Sequence, residues 1–140
     1  MCTCMTFKTK DWYFGRNLDL EATFGEKVIV TPRNYEFAFK NNINIKTKYA
    51  IIGMGTVIED YPLYADAGNE KGLCMAGLYF PGNAVYFEEK EKAINITSFE
   101  LILWCLGNFS SIAELREVLN KINITNQAFH ENMPVVDLHW

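Results

Sequence analysis

Apolar and polar residues alternate loosely along the first eighty residues, at the spacing of strands, and the pattern changes to helical spacing after residue 95. Thr3 to Phe7 alternates, Thr9-Lys10-Asp11 offers turn residues, and Trp12-Tyr13-Phe14 resumes an aromatic strand. Together they predict a hairpin. Lys27 to Thr31 is a β-branched run closed by Pro32. Tyr49 to Ile52 and Thr56 to Ile58 flank Gly53-Met54-Gly55, which predicts a strand with a bulge or a close backbone approach. Asn69 to Gly72 reads as a turn, with a buried strand from Leu73 to Tyr79 leading out of it. The stretch from Lys40 to Lys48 reads as a solvated loop or edge strand.

Thr97-Ser98-Phe99-Glu100 fits a capping box that opens a helix, with Gly107 as its stop. This helix is apolar nearly all round and is expected to be buried. A second helix starts at Ser111, with Glu114 closing another capping box. Ile112, Leu115, Val118, Leu119 and Ile122 form its apolar face, so it should cover a sheet. Pro134 to Trp140 looks like the start of a further strand. No internal repeat or linker divides the chain. Strands, then helices, then a strand predict an α+β layered fold rather than alternating βαβ units. The stop at Trp140, inside an apolar run, points to a gene fragment or truncated product.

Composition narrows the class. The 140 residues fit one domain, and a hydrophobic fraction of 49% supports an ordinary core. A net charge of -4 with scattered Lys and Arg argues against nucleic acid as a partner. The longest apolar run, Leu101 to Leu106, is too short to cross a bilayer, and no secretory leader pattern is visible. A cytoplasmic protein without a membrane partner is expected. The four cysteines, Cys2, Cys4, Cys74 and Cys105, make neither a disulfide framework nor a zinc site. Cys74 and Cys105 lie in apolar runs and are expected to be buried, inert thiols.

Cys2 differs because it follows Met1. Aminopeptidases remove Met before a small residue, which would leave a thiol and a free α-amine on one residue. A thiol has a reference pKa of about 8.5 and an α-amine about 7.7 to 8.0, so the amine can accept the thiol proton near neutrality. It can later return the proton to a leaving amine. The thiolate would attack an amide carbonyl and form a thioester that water hydrolyses. The Cys2-x-Cys4 spacing also admits redox or metal chemistry, but the two thiols are expected to diverge. Phe14-Gly15-Arg16-Asn17-Leu18-Asp19 ends the predicted hairpin beside the chain start. There Arg16 would hold the thiolate and Asp19 would orient the α-amine. A surface Arg–Asp pair closing a turn is the plain alternative.

These residues resemble a known family. Met1-Cys2-Thr3 and Phe14-Gly15-Arg16-Asn17-Leu18-Asp19 look like the opening of the choloylglycine hydrolases, whose members include bile salt hydrolases and penicillin V acylases. Thr31-Pro32-Arg33-Asn34-Tyr35, Asp60-Tyr61-Pro62-Leu63-Tyr64, Asn69-Glu70-Lys71-Gly72-Leu73, Ala76-Gly77-Leu78 and Leu138-His139-Trp140 follow in the family's order.

The resemblance implies an N-terminal-nucleophile hydrolase fold, an αββα sandwich, of which residues 1–140 would form the N-terminal portion. It implies that Cys2 is the nucleophile, Arg16 the thiol-assisting arginine and Asp19 the amine-orienting aspartate. Tyr79 would lend its backbone N–H to the oxyanion hole and border the substrate pocket. Leu18, Leu20, Phe24 and Ile58 would line that pocket. Substrates would be glycine- or taurine-conjugated bile acids first and penicillin V second, since Tyr79 matches the acylase branch. The resemblance calls for no cofactor or metal, and it implies a homo-oligomer, often a tetramer in full-length members. Those members run to well over twice this length, and their back half supplies an oxyanion-hole asparagine and a further active-site arginine. A non-catalytic fragment that associates through sheet edges is the competing expectation. His130 and His139 are expected to be structural or exposed.

Overall fold

The computed structural model describes residues 2–19, 21, 23–41 and 43–140. The predicted hairpin forms from β1 (Thr3–Lys8) and β2 (Trp12–Asn17), paired from Thr3–Asn17 to Lys8–Trp12. The β-branched run is β3 (Lys27–Thr31). A short hairpin of β4 (Glu36–Ala38) and β5 (Asn44–Lys46) follows, sending Phe37 and Ile45 into the core while the lysines stay outside. Then come β6 (Ile51–Ile58), β7 (Tyr61–Asn69) and β8 (Cys74–Ala76). They join β3 in an antiparallel sheet of order β3-β6-β7-β8.

Burial along β7 explains how this sheet bends. Pro62 and Tyr64 are buried, then Ala67 and Asn69, so the period of two slips by one at Ala65 and Asp66. The pairing slips at the same point: Met54 faces Asp66, but Gly55 faces Tyr64. This is the bulge expected around Gly53-Met54-Gly55. Both glycines are needed there. A Cβ on Gly53 would lie 2.1 Å from the Asp66 carbonyl oxygen, and one on Gly55 2.3 Å from that of Leu63.

One face of the sheet packs on α1 (Leu101–Asn108), whose residues from Leu101 to Gly107 are all buried. The capping box is only half made. The Glu100 carboxyl accepts the Thr97 N–H at 3.1 Å, while Thr97 Oγ1 has no partner. The other Glu100 oxygen accepts the Lys40 N–H at 2.7 Å, so this side chain, 1% exposed, ties the β4–β5 loop to the helix start. At the helix end the orphan carbonyls are met from outside. Asn69 Nδ2 donates to Leu106 and Phe109 carbonyls at 2.9 and 2.7 Å, and its Oδ1 accepts from Lys71 and Leu73 N–H groups. The turn at 69–72 is thereby locked to α1, with Gly72 in the left-handed region at φ 85°.

Several elements differ from the sequence reading. The expected strand from Leu73 to Tyr79 is two pieces. It breaks at Gly77, where β9 (Leu78–Tyr79) leaves the main sheet to pair with β12 (Leu138–His139). Cys74 is exposed, not buried, because it faces away from α1; Cys105 is buried, and burial pushes its thiol up to about 12. The second helix, α2 (Ile112–Arg116), is much shorter than expected and has no fully buried residue. Ile122 belongs to a strand instead. β10 (Ile94–Thr97) and β11 (Ile122–Thr125) carry the same tetrapeptide, Ile-Asn-Ile-Thr, and pair in parallel and in register. Asn123 Nδ2 donates to Asn95 Oδ1 at 2.8 Å across the pair. The α+β class therefore contains one local βαβ crossover, running through α1 and α2. Among the described residues no helix is long and apolar enough to cross a membrane.

A polar clip closes the far end of the sheet. Arg33 donates two guanidinium hydrogen bonds to Glu70, the Nε bond to Oε1 at 2.6 Å, and Glu70 Oε1 also accepts the Ala50 N–H at 2.8 Å. The guanidinium bond holds the Glu70 carboxyl down to about 2. A carboxyl group with a depressed native pKa stabilises the fold above its unfolded value and loses that contribution as pH falls through the native one. Unfolding midpoints should therefore decline between about pH 4.5 and pH 2. Glu70→Gln should flatten that part of a urea-unfolding pH series; an unchanged slope would rule this contribution out.

Candidate active site

The segment Ala76-Gly77-Leu78, where the chain passes from β8 to β9, is where the chain start meets the rest of the fold. Cys2 precedes the first residue of β1 and is 8% exposed. Its side chain packs with Ala76 and Leu78, and Phe14 and Leu18 close the cluster. Cys2 Sγ lies 3.9 Å from the Asp19 carbonyl oxygen. Asn17 Oδ1 accepts the Thr3 N–H at 2.7 Å, so the peptide just after Cys2 is held by a side chain of β2. Cys4, by contrast, is exposed. Residues two apart in a regular strand share a face; the two thiols differ in burial because Cys2 lies outside the strand. The divergence expected from strand spacing therefore has no basis in that spacing, and the difference between the thiols is one of burial.

Arg16 comes to the same segment from β2. Its partner in the hairpin register is Cys4. The guanidinium is 5% exposed, and its Nη2 donates to the Gly77 carbonyl at 2.7 Å. Cys2 thus packs on the two residues that flank the carbonyl holding Arg16. Nη1 lies 3.4 Å from Asp66 Oδ2, an ion pair the sequence reading did not anticipate. Nε and Nη1 are buried without a hydrogen-bond partner, leaving donors available. Burial raises the Asp66 carboxyl above the ordinary range, opposed by the Arg16 charge and by the Met54 N–H that it accepts.

The other candidates fall around this centre. Asp19 is exposed and meets Cys2 through its backbone carbonyl. Tyr79 follows Leu78 directly, pairs with Leu138 and is 54% exposed. Leu18 is part of the apolar cluster at Cys2. Phe24 is exposed, with its carbonyl accepting from Thr56 Oγ1, and Ile58 closes the β6–β7 hairpin opposite Tyr61; both lie outside that cluster. Leu20 and Met1 lie outside the described residues. His130 and His139 are exposed, and the His139 ring lies tilted against that of Phe80, centroids 5.0 Å apart. A hollow lined by Phe39, Lys40, Tyr61, Phe99, Glu100 and Phe129 lies elsewhere on the molecule and includes none of these candidates. Asn17, Asp66 and Gly77 were not singled out for the site by sequence reasoning. Asn17 and Gly77 carried a signal that could have found them, since each lies inside a quoted motif, Phe14–Asp19 and Ala76–Leu78; Asp66 carried none.

Comparison with known proteins places the chain in a family. The model of the linear amide C–N hydrolases, choloylglycine hydrolase family, matches residues 2–140. The bile salt hydrolase/transferase of Lactiplantibacillus plantarum is 48% identical over 140 residues, which is 100% of this chain and 43% of that protein. The crystal structure of the C2A mutant of the conjugated bile acid hydrolase from Clostridium perfringens superposes with a TM-score of 0.93. It is 44% identical, over 100% of this chain and 44% of that one. Penicillin V acylase from Agrobacterium tumefaciens superposes at 0.71 with 20% identity, over 89% of this chain and 39% of that one, a likeness of fold. The chain spans less than half the length of the curated relatives it matches.

Proposed function

Because this chain belongs to the choloylglycine hydrolase family and has the N-terminal-nucleophile hydrolase fold, we propose that it carries the nucleophile half of a site that cleaves glycine or taurine from conjugated bile salts. The observation that supports this reading is the convergence of Cys2 and Arg16 on Ala76-Gly77-Leu78. Residues 1–140 then act as the N-terminal portion of one domain.

The reaction runs in two halves. Removal of Met1 frees the Cys2 α-amine, which takes the thiol proton. The thiolate attacks the amide carbonyl carbon, forming a C–S bond and a tetrahedral oxyanion. The Tyr79 N–H donates to that oxyanion. The C–N bond breaks as the protonated α-amine returns its proton to the leaving nitrogen, releasing glycine or taurine. A water molecule then attacks the thioester, and the bile acid departs as Cys2 regains its proton. Arg16 supplies a fixed positive charge beside the sulfur, and Asp19 orients the terminal amine. Leu18 offers an apolar surface at Cys2, and Phe24 and Ile58 are assigned to a more distant part of the substrate wall, where burial of a steroid contributes about 25 cal/mol per Å². The relatives' name, hydrolase/transferase, fits the same intermediate, since an amine in place of water would yield a new amide. The working protein is a cytoplasmic homo-oligomer in this reading.

Penicillin V cleavage is the second reading, and Tyr79 is the residue that favours it. The two are separated by incubating the protein with glycocholate, taurocholate and penicillin V and quantifying each released product. Bile salt deconjugation is expected to be the fastest of the three. Faster release of phenoxyacetate would reverse the order, and no release from any of the three by a protein carrying both halves of the site, with Cys2 shown to be N-terminal, would overturn the amide hydrolase reading.

A further inference from the structure

Asp66, half-buried beside Arg16, is a charged group to which the proposed reaction gives no task. It comes to the site because of the bulge in β7. Without the slip at Ala65, alternation from Pro62 and Tyr64 would aim residue 66 into the core against α1. With it, Asp66 points to the other face of the sheet, toward Arg16. The carboxyl group is held from two sides: it accepts the Met54 N–H, and Oδ2 lies 3.4 Å from Arg16 Nη1. The Arg16 guanidinium, 5% exposed, also donates to the Gly77 carbonyl, a neutral acceptor. A cation removed from water to this degree needs a compensating charge to stay in place.

We propose that Asp66 is a positioning residue that holds the Arg16 guanidinium against the Gly77 carbonyl, beneath Cys2. The inference rests on the reading in which Arg16 serves the Cys2 thiolate. It assigns Asp66 no contact with substrate. Loss of its carboxyl lets the guanidinium leave the Gly77 carbonyl, and Cys2 loses the adjacent positive charge.

The test uses the full chain with Cys4→Ala, so that the N-terminal peptide carries one thiol. The rate of Cys2 alkylation by iodoacetamide at neutral pH is followed by mass spectrometry, and kcat and KM are measured on glycocholate. Asp66→Asn should slow alkylation and lower kcat by about tenfold each, as expected for a misplaced active-site group, with KM within about twofold. Asp66→Ala, which leaves no amide to bond Arg16, should behave alike. Arg16→Leu should also slow alkylation, and adding Asp66→Asn to it should change nothing further, because both act through one group. Multiplying effects in the double variant would overturn the inference, as would Asp66 variants that leave alkylation and kcat intact while Arg16→Leu slows both. If Arg16→Leu itself leaves alkylation unchanged, the assigned role of Arg16 fails, and that of Asp66 with it. Alkylation needs no amide substrate, so a failed bile salt reading would appear separately, as normal alkylation changes without turnover.

Discussion

Cys2→Ser is expected to abolish amide hydrolysis, with kcat lowered on the order of 10⁴-fold or more, the scale seen when an enzyme's nucleophile is removed. Serine keeps the shape of the side chain and the α-amine, so the packing on Ala76 and Leu78 should survive. What it loses is acidity and nucleophilicity: a terminal amine near neutrality can deprotonate a thiol far more readily than an alkyl hydroxyl. The Arg16 charge, held on the Gly77 carbonyl, cannot make up that difference. A form that retains Met1 should be equally inert, because its Cys2 nitrogen is then part of a peptide bond and can carry no proton to the leaving group. Steady-state release of glycine from glycocholate measures both, with circular dichroism to verify that the fold is retained. Turnover above about a tenth of normal would mean, in the serine form, that Cys2 does not form the acyl-enzyme and, in the Met1-retaining form, that the α-amine does not carry the proton.

Gly53→Ala should destabilise the protein by about 3 kcal/mol or more, at or beyond the upper range for inserting a methyl group into a packed site. Its Cβ would meet the Asp66 carbonyl oxygen at 2.1 Å and the Ala67 Cβ and Cα at 2.5 and 2.6 Å. All three are backbone or backbone-fixed atoms, so no rotamer change relieves the clash. β6 must part from β7, and the ladder bonds beside the bulge go with it. The entropy gained by replacing a strand glycine, about 0.5 to 1 kcal/mol, is too small to offset this. The same displacement moves Asp66, so activity should fall as well. Gly15→Ala is the matched control, because a Cβ there meets nothing within 4 Å. Urea-unfolding midpoints compare the two. A Gly53→Ala midpoint equal to that of Gly15→Ala would show that β6 and β7 are not held at this spacing in solution.

Local features were legible because their causes are local. The hairpin of β1 and β2, the β-branched strand β3, the glycine turn after Asn69 and the all-apolar α1 each follow from a few adjacent residues. The bulge was expected at Gly53 to Gly55, and the two glycines are placed where backbone approaches backbone. Misreadings occurred where a distant partner decided the outcome. Ile122 has helical spacing to Leu115 and Val118, but it joins β11 because an identical tetrapeptide ending at Thr97 lies ready to pair with it. Cys74 lies in an apolar run, yet its strand has only one face against α1, and the thiol is on the other.

From the residues alone came the α+β class, the candidate set at Cys2, Arg16 and Asp19, and the family. Short motifs kept in order retain those, because each is written in neighbouring positions. The tertiary structure alone decided that Arg16 reaches the Gly77 carbonyl, that Asp66 pairs with it, and that Cys2 packs against the residues on either side. These groups stand far from their partners in the chain, Arg16 61 positions from Gly77 and Cys2 still further from Leu78. A one-residue slip in β7 turns Asp66 toward Arg16, and the position of such a slip depends on the partner strand rather than on the segment that contains it.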